Sequence, residues 1–253
     1  LNICHKIVLE DKLLTVNMPE SNIIAEPSHP DVNYPHTSIS WFKENAETYL
    51  NHEYVHMLIE MWMYLPPIAL FPSSEYGALS CELRIKQNNE INVLDKSALG
   101  NYLTQAYIDF HNGPEGHNTR LRKNVEKRRK GRKQTPEELA GLEAEVADYI
   151  KYRGVHPLAP ATIKKFNNID WVFYSETRIN SLSHKDYYCL PLSEYSFLEV
   201  KFNHRVDLPG KLKKWEKHAL ASQSRIMNSI TLTDIPVSED TLIAHKNTEM
   251  ETS

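Results

Sequence analysis

The chain has 253 residues, 41% apolar and 25% charged, which suits a folded soluble domain with a substantial core. Its eight glycines never fall as GxG or within GxxxxGK[ST], so Rossmann and P-loop phosphate sites are not expected, and no apolar run reaches the ~20 residues of a membrane span. The net charge of −4 conceals an asymmetry: residues 120–133 hold nine basic side chains and one acid, a local +8 that leaves −12 for the remainder.

In chain order, Lys6–Glu10 and Lys12–Met18 alternate as a strand pair around Asp11-Lys12, closed by Pro19. Residues 26–35 read as a Pro/Asn-rich loop. Thr37 or Ser40 caps an expected helix to about Leu50, with Trp41, Phe42, Ala46, Tyr49 and Leu50 on one face. Met57–Leu65 is expected as a strand whose buried face is Met57, Ile59, Met61, Met63 and Leu65, stopped by Pro66-Pro67. Ala78–Lys86 follows as a strand with Leu79, Cys81, Leu83 and Ile85 on one side.

Helical spacing returns at Lys96–Phe110 through Leu99, Leu103, Ala106 and Phe110. The basic stretch predicts a second helix with Leu121 and Val125 as its seam. A third starts at Thr135-Pro136 with Glu137 and Glu138 at its positive end, buries Leu139, Leu142, Val146, Tyr149 and Ile150, and stops at Gly154. Strands resume at Trp171–Arg178, Tyr187–Leu192 and Tyr195–Val206; in the last, Phe197, Glu199, Lys201 and Asn203 oppose Leu198, Val200, Phe202 and His204. A final helix spans Lys211–Ser229 with Leu212, Trp215, Ala219, Ser222, Ile226 and Ile230 inward. The pattern predicts a single α+β domain over residues 1–232, a mainly antiparallel sheet packed with helices. Residues 96–154 form a helical insertion in it, and 233–253 a flexible tail.

Three segments carry chemistry. His52-Glu53-Tyr54-Val55-His56 matches HExxH, which on a helix would let two imidazoles grip zinc with Glu53 as general base. The motif lies where helical spacing gives way to period-two alternation, and on a strand the two rings would stand ~13 Å apart. A zinc metallopeptidase is therefore the alternative reading, and no cofactor or metal is the first expectation. The basic segment offers Arg122, Lys123, Arg128, Arg129 and Arg132 as partner-binding residues, or as a nucleic-acid contact over 120–133. No aromatic residue is interleaved with it, and the five acids Glu137, Glu138, Glu143, Glu145 and Asp148 on the next helix are placed to neutralise it. Nucleic acid is thus not the expected partner. His184 with Cys189 lacks an orienting third group for a thiol nucleophile. Cys4, Cys81 and Cys189 form no CxxC pair, which suits a reducing cytoplasm, or the periplasm if an export signal precedes Leu1.

The opening KIVLEDKLLTVNMPE and the closing FLEVKFNHRV and KKWEKHALASQSRIMNSI resemble PsbP-like α/β domains. With FPSSEYGALSCELRI, NGPEGHNTRLRKNVEKRRK and IDWVFYSETRI, the chain is similar to immunity proteins of bacterial toxin systems, particularly those beside type VI secretion effectors. The resemblance implies a PsbP-like core with the helical middle as an elaboration. It further implies a non-enzymatic inhibitor of a cognate toxin and no shared catalytic residues. Opposed charge on the two partners would then speed association and fix register.

Overall fold

The computed structural model describes residues 2–23, 33–49, 52–65, 76–129, 135–177, 182–207 and 212–235. Among these residues, ten strands and five helices follow in the order β1 (Asn2–Leu9), β2 (Lys12–Pro19), α1 (Ile39–Asn45), β3 (Glu47–Tyr49), β4 (His52–Tyr64), β5 (Gly77–Gln87), α2 (Lys96–Asn112), α3 (His117–Arg128), α4 (Pro136–Arg153), β6 (Thr162–Phe166), β7 (Ile169–Thr177), β8 (His184–Pro191), β9 (Ser196–Val206), α5 (Leu212–Ser229) and β10 (Thr231–Asp234). The class is α+β. A seven-stranded antiparallel sheet runs β3-β4-β5-β9-β8-β7-β6, and a three-stranded sheet runs β1-β2-β10.

The large sheet is covered differently on its two faces. On one, Leu79, Cys81, Leu83 and Ile85 of β5 and Leu198, Val200 and Phe202 of β9 are wholly buried against Ile7, Leu9, Leu14, Val16 and Met18 of the small sheet. Trp215, Ala219, Ile226 and Met227 of α5 complete that core. Period-two alternation forces the odd-numbered side chains of β9 to the other face. There Phe197 joins Val172, Tyr174, Cys189, Val93 and, from α2, Leu99 and Leu103 in a smaller core. Gly100 lets α2 approach β7 closely, since a Cβ at that position would stand 2.9 Å from the Ala161 Cβ and 3.5 Å from Val172. The segment 96–154 holds α2, α3 and α4, with α4 packed on α3.

Several expectations are corrected. The helix expected to reach Leu50 ends at Asn45, because Glu47–Tyr49 pairs antiparallel with His52–Tyr54; its cap is Ser38, whose hydroxyl accepts from the Trp41 amide. The strand expected from Met57 begins at His52, and a bulge between His56 and Leu58 re-aims it. The face opposite Leu83 and Leu79 of β5 is therefore Leu58 and Trp62. Of the expected stripe only Met57 is buried; Ile59, Met61 and Met63 are half-buried and Leu65 is exposed. On α4 only Val146 is buried, since α3 covers one narrow stripe. Thr233 and Asp234, expected in a tail, pair with Leu13 and Lys12. Residues 236–253, much of the 26–35 loop, Pro66-Pro67, Arg178 and Gly210 lie outside the described residues.

Candidate functional site: a charged, aromatic-walled cleft

The central strands β5, β9, β8 and β7 turn a row of ionisable side chains toward α2. Glu82, Arg84 and Lys86 alternate along β5 with Leu83 and Ile85, and Glu199 and Lys201 alternate along β9 with Val200 and Phe202. The register sets Arg84 opposite Glu199 and Glu82 opposite Lys201, and on the next strands Glu176 opposite Lys185 and Tyr174 opposite Tyr187. Opposite charges thus meet across each ladder. Lys86 Nζ donates to Glu199 Oε2 at 2.9 Å, and Arg84 Nη1 lies 3.8 Å from Glu199 Oε1. Lys201 Nζ donates to Glu82 Oε1 at 3.0 Å, and Arg84 also pairs with Glu82. Lys185 Nζ lies 3.2 Å from Glu176 Oε2, which accepts from the Tyr187 hydroxyl at 3.0 Å.

Above this row is a cleft of about 590 Å³, bounded by β3, β4 and α2. Its aromatic walls include Tyr54, Tyr107, Phe110, Tyr174, Tyr187 and Phe197. Tyr174 and Tyr187 stack at 4.5 Å with planes 2° apart, and the Arg84 guanidinium lies 4.2 Å over the Tyr54 ring. Four cations line the cleft, Arg84, Lys86, Lys185 and Lys201, against the carboxylates Glu53 and Glu176. Glu82 and Glu199 lie behind them, with Glu199 wholly buried.

The electrostatics follow from burial. Burial alone would raise the Glu199 carboxyl, but Lys86, with Arg84 and Lys201 behind it, holds it below its ordinary range. Burial lowers Lys201, against the pull of Glu82. Burial pushes the Tyr174 and Tyr187 hydroxyls well up, so both remain neutral donors. Arg84 Nε is buried without a hydrogen-bond acceptor. The arrangement presents cationic donors to anything that enters and keeps Glu82 and Glu199 recessed, while Glu176 pairs with Lys185 within the cleft.

The HExxH residues are placed by strand geometry. His52 and His56 share a face of β4 with Tyr54 between them; His52 meets the Phe110 ring at 6.0 Å, and His56 packs edge-on to Tyr54 at 5.0 Å. Four residues of extended chain carry two imidazoles ~13 Å apart, beyond the reach of one zinc ion. Burial, then Lys86 for His52 and Arg84 for His56, lowers both imidazoles. His52 and the exposed Glu53 line the cleft instead.

Among the described residues of the basic arm, Arg122, Lys123, Arg128 and Arg129 bond within the chain. Arg122 donates to both carboxylate oxygens of Glu143 at 2.6 and 2.7 Å. Arg129 donates to Glu145 Oε2 at 3.0 and 2.7 Å, and Arg128 to the Tyr149 hydroxyl at 2.7 Å. Lys123 donates to the Pro114 carbonyl at 3.2 Å, and Arg132 lies outside the described residues. Two of the five acids of α4, Glu143 and Glu145, thus pair with the basic arm. His184 and Cys189, an odd number of positions apart on β8, face opposite sides of the sheet and form no pair.

Sequence reasoning missed Arg84, Lys86, Lys185 and Lys201 as a site. On β5 and the middle of β9 their signal is charge at positions that alternate with wholly buried apolar ones; Lys185, between His184 and Asp186, carries no such signal. It also missed Glu10, His36 and Ser196, whose order mimics a hydrolase triad: Ser196 Oγ lies 2.8 Å from His36 Nδ1, and Glu10 Oε2 lies 3.5 Å from His36 Nε2. Ser196 and His36 are buried, so the group ties the segment before α1 to β9.

No family model matches the chain, and no curated protein matches it. Among the described residues no helix is long and apolar enough to cross a membrane.

Proposed function

We propose that the chain is a binding protein whose cleft holds a small, multiply charged anion of the phosphate type. One observation carries this reading: four cations converge at the centre of the sheet, under aromatic walls, with Glu82 and Glu199 set behind them. Buried ion pairs are seldom worth more to stability than apolar residues of the same size. Placing seven ionisable groups on the central strands therefore costs stability that an apolar face would not, and a ligand gives the surplus donors a use. Arginine and lysine suit phosphate oxygens, and the stacked tyrosines offer a flat apolar surface to any ring attached to them.

A second reading keeps the resemblance to toxin immunity proteins on a PsbP-like frame. Its support is the outer surface of α4, where Tyr152 remains 66% exposed one turn from the exposed Asp148. That surface, rather than Arg122, Arg128 and Arg129, which bond within the hairpin, would meet a cognate toxin. The three cysteines are free, which supports a reducing cytoplasm in either case.

One experiment serves both. Pyrophosphate is titrated into the purified chain at low and high salt by calorimetry, beside a Lys185→Met variant whose fold is checked by circular dichroism. The cleft reading expects saturable binding that weakens with salt and falls at least tenfold in the variant. Absence of saturable pyrophosphate binding to the parent chain would sink it. A stoichiometric protein partner co-purifying with the chain, and lost on Tyr152→Arg, would favour the second reading.

A further inference from the structure

On the face of the large sheet opposite the cleft, we propose that His184, Asp186 and His204 form a binding site for a divalent transition-metal ion, zinc foremost. Neither the cleft nor the HExxH segment contributes to it. His184 and Asp186 are two positions apart on β8 and so share a face, and His204 of β9 stands directly opposite His184 in the register. One ligand atom from each of the three lies within 4.8 Å of the others, and among the described residues this is the group of His, Cys, Asp or Glu that comes together in this way. Two imidazoles and one carboxylate are a nitrogen and oxygen donor set that suits zinc with a water in the fourth position.

The hydrogen-bond pattern around His204 points to a metal. His204 is wholly buried, and its Nε2 lies 2.5 Å from Gln223 Oε1. The Gln223 amide nitrogen donates to Asp186 Oδ2 at 2.8 Å and to the Tyr188 hydroxyl at 2.8 Å. An ionised carboxylate accepts and does not donate, so the Gln223 nitrogen is the atom that faces Asp186. Its oxygen must then face His204, whose Nε2 carries the proton. The lone pair is left on Nδ1, which is buried without a hydrogen-bond partner. A buried acceptor with nothing to accept from costs free energy, and a cation beside it would satisfy it. The Nε2–H to Gln223 contact is of the outer-shell type that orients metal-bound histidines elsewhere. Gln223 further connects His204 to Asp186, so α5 holds two of the three ligands in place.

The third ligand must move. The His184 and His204 rings stack at 4.2 Å with planes 8° apart, and parallel rings aim their in-plane lone pairs side by side. With bonds of about 2.0–2.2 Å, ligand atoms on a tetrahedral zinc stand roughly 3.4 Å apart, closer than the 4.8 Å bound here. His184 is the ring that can turn: it is half-exposed, and its Nδ1 has only a 3.3 Å contact to the Leu182 carbonyl. Binding therefore unstacks the histidine pair by rotating His184.

The test uses the full chain stripped with a chelator and titrated with zinc by calorimetry. Cobalt substitution provides a visible spectrum that reports the donor set. One equivalent of zinc per chain, with a tetrahedral cobalt spectrum, is expected. His184→Ala, at a half-exposed position, should keep the fold and weaken zinc at least tenfold. Gln223→Leu should weaken it about 10–100-fold by releasing His204. His52→Ala with His56→Ala should leave it unchanged. No stoichiometric zinc at micromolar concentration would overturn the site, as would zinc binding that survives His184→Ala and Asp186→Asn or is lost with His52 and His56. The pyrophosphate titration reads the cleft separately, so either site can fail alone.

Discussion

Five histidines define how this molecule meets acid. His36 is 1% exposed, wedged between Ser196 and Glu10, and burial lowers its pKa despite the opposing charges of Glu10 and Asp11; Lys12 acts in the same direction as burial. Burial likewise lowers His5, His52 and His56, and takes His204 to about 4. The unfolded chain takes up these protons near pH 6.5, while the folded chain resists them. Between the two values the unfolded state binds more protons, so stability rises with pH and is lost as pH falls below about 6.5. Each histidine still neutral in the fold contributes up to about 1.4 kcal/mol per pH unit across its window. Urea unfolding at pH 7.5 and pH 5.5 should show a clear loss at the lower pH, and His36→Gln should make that loss smaller. A pH-independent midpoint between those values would contradict the buried neutral state. Glu199 adds to the effect lower down, because a carboxyl held below its ordinary range loses its contribution as pH falls past the unfolded value.

At the scale of elements, α4 is the one whose ends are best specified and whose packing is thinnest. Thr135 accepts from the Glu138 amide at 3.2 Å while Glu138 accepts from the Thr135 amide at 3.2 Å, a complete capping box ahead of Pro136. Gly154 closes the other end with its amide on the Ile150 carbonyl at 2.8 Å. Only Val146 is buried, so the cap and the pairing with α3 supply much of what holds the helix. Thr135→Ala should cost about 1 kcal/mol and be felt locally. Hydrogen exchange across 136–153 should quicken while the strands of the large sheet keep their protection. Uniform loss of protection throughout the chain would show that α4 unfolds only with the whole. β4 shows the reverse balance, since its alternation was readable but the bulge at His56/Leu58 reversed which side chains it buries. That bulge answers to the partner strand, which its own sequence does not contain.

In the whole molecule the two ends of the described chain close one sheet. β10 pairs with β2, Lys12 Nζ donates to Asp234 at 2.9 Å, and the Asp11 carbonyl accepts from the Ile235 amide at 2.7 Å. Ile230, between α5 and β10, is wholly buried in the main core. Ending the chain after Ser229 removes that side chain and bares the edge of β2, so the melting temperature should fall by several degrees for the lost burial alone. An unchanged melting temperature would mean that β1 and β2 are held by the large sheet without β10.

Much of the frame was legible because its signals are local. Leu79, Cys81, Leu83 and Ile85 announce a strand with one apolar face, Leu198, Val200, Phe202 and His204 another, and Thr135-Pro136 with Gly154 bracket a helix whatever surrounds them. The sequence by itself therefore determined the α+β class, the helical middle and the meeting of a basic arm with the acidic α4. The cleft was decided only by tertiary structure. Glu82 and Lys201 lie 119 residues apart in the chain and become neighbours because β5 pairs with β9. The same strand order brings Lys185 and Glu176 beside them, and the order of strands is not written in the periodicity of any one. Likewise His184, Asp186, His204 and Gln223 acquire a common chemistry only when α5 lies down on β8 and β9. Local pattern states which face of each element is apolar; charge on the remaining faces acquires a function only from the neighbours that packing assigns to it.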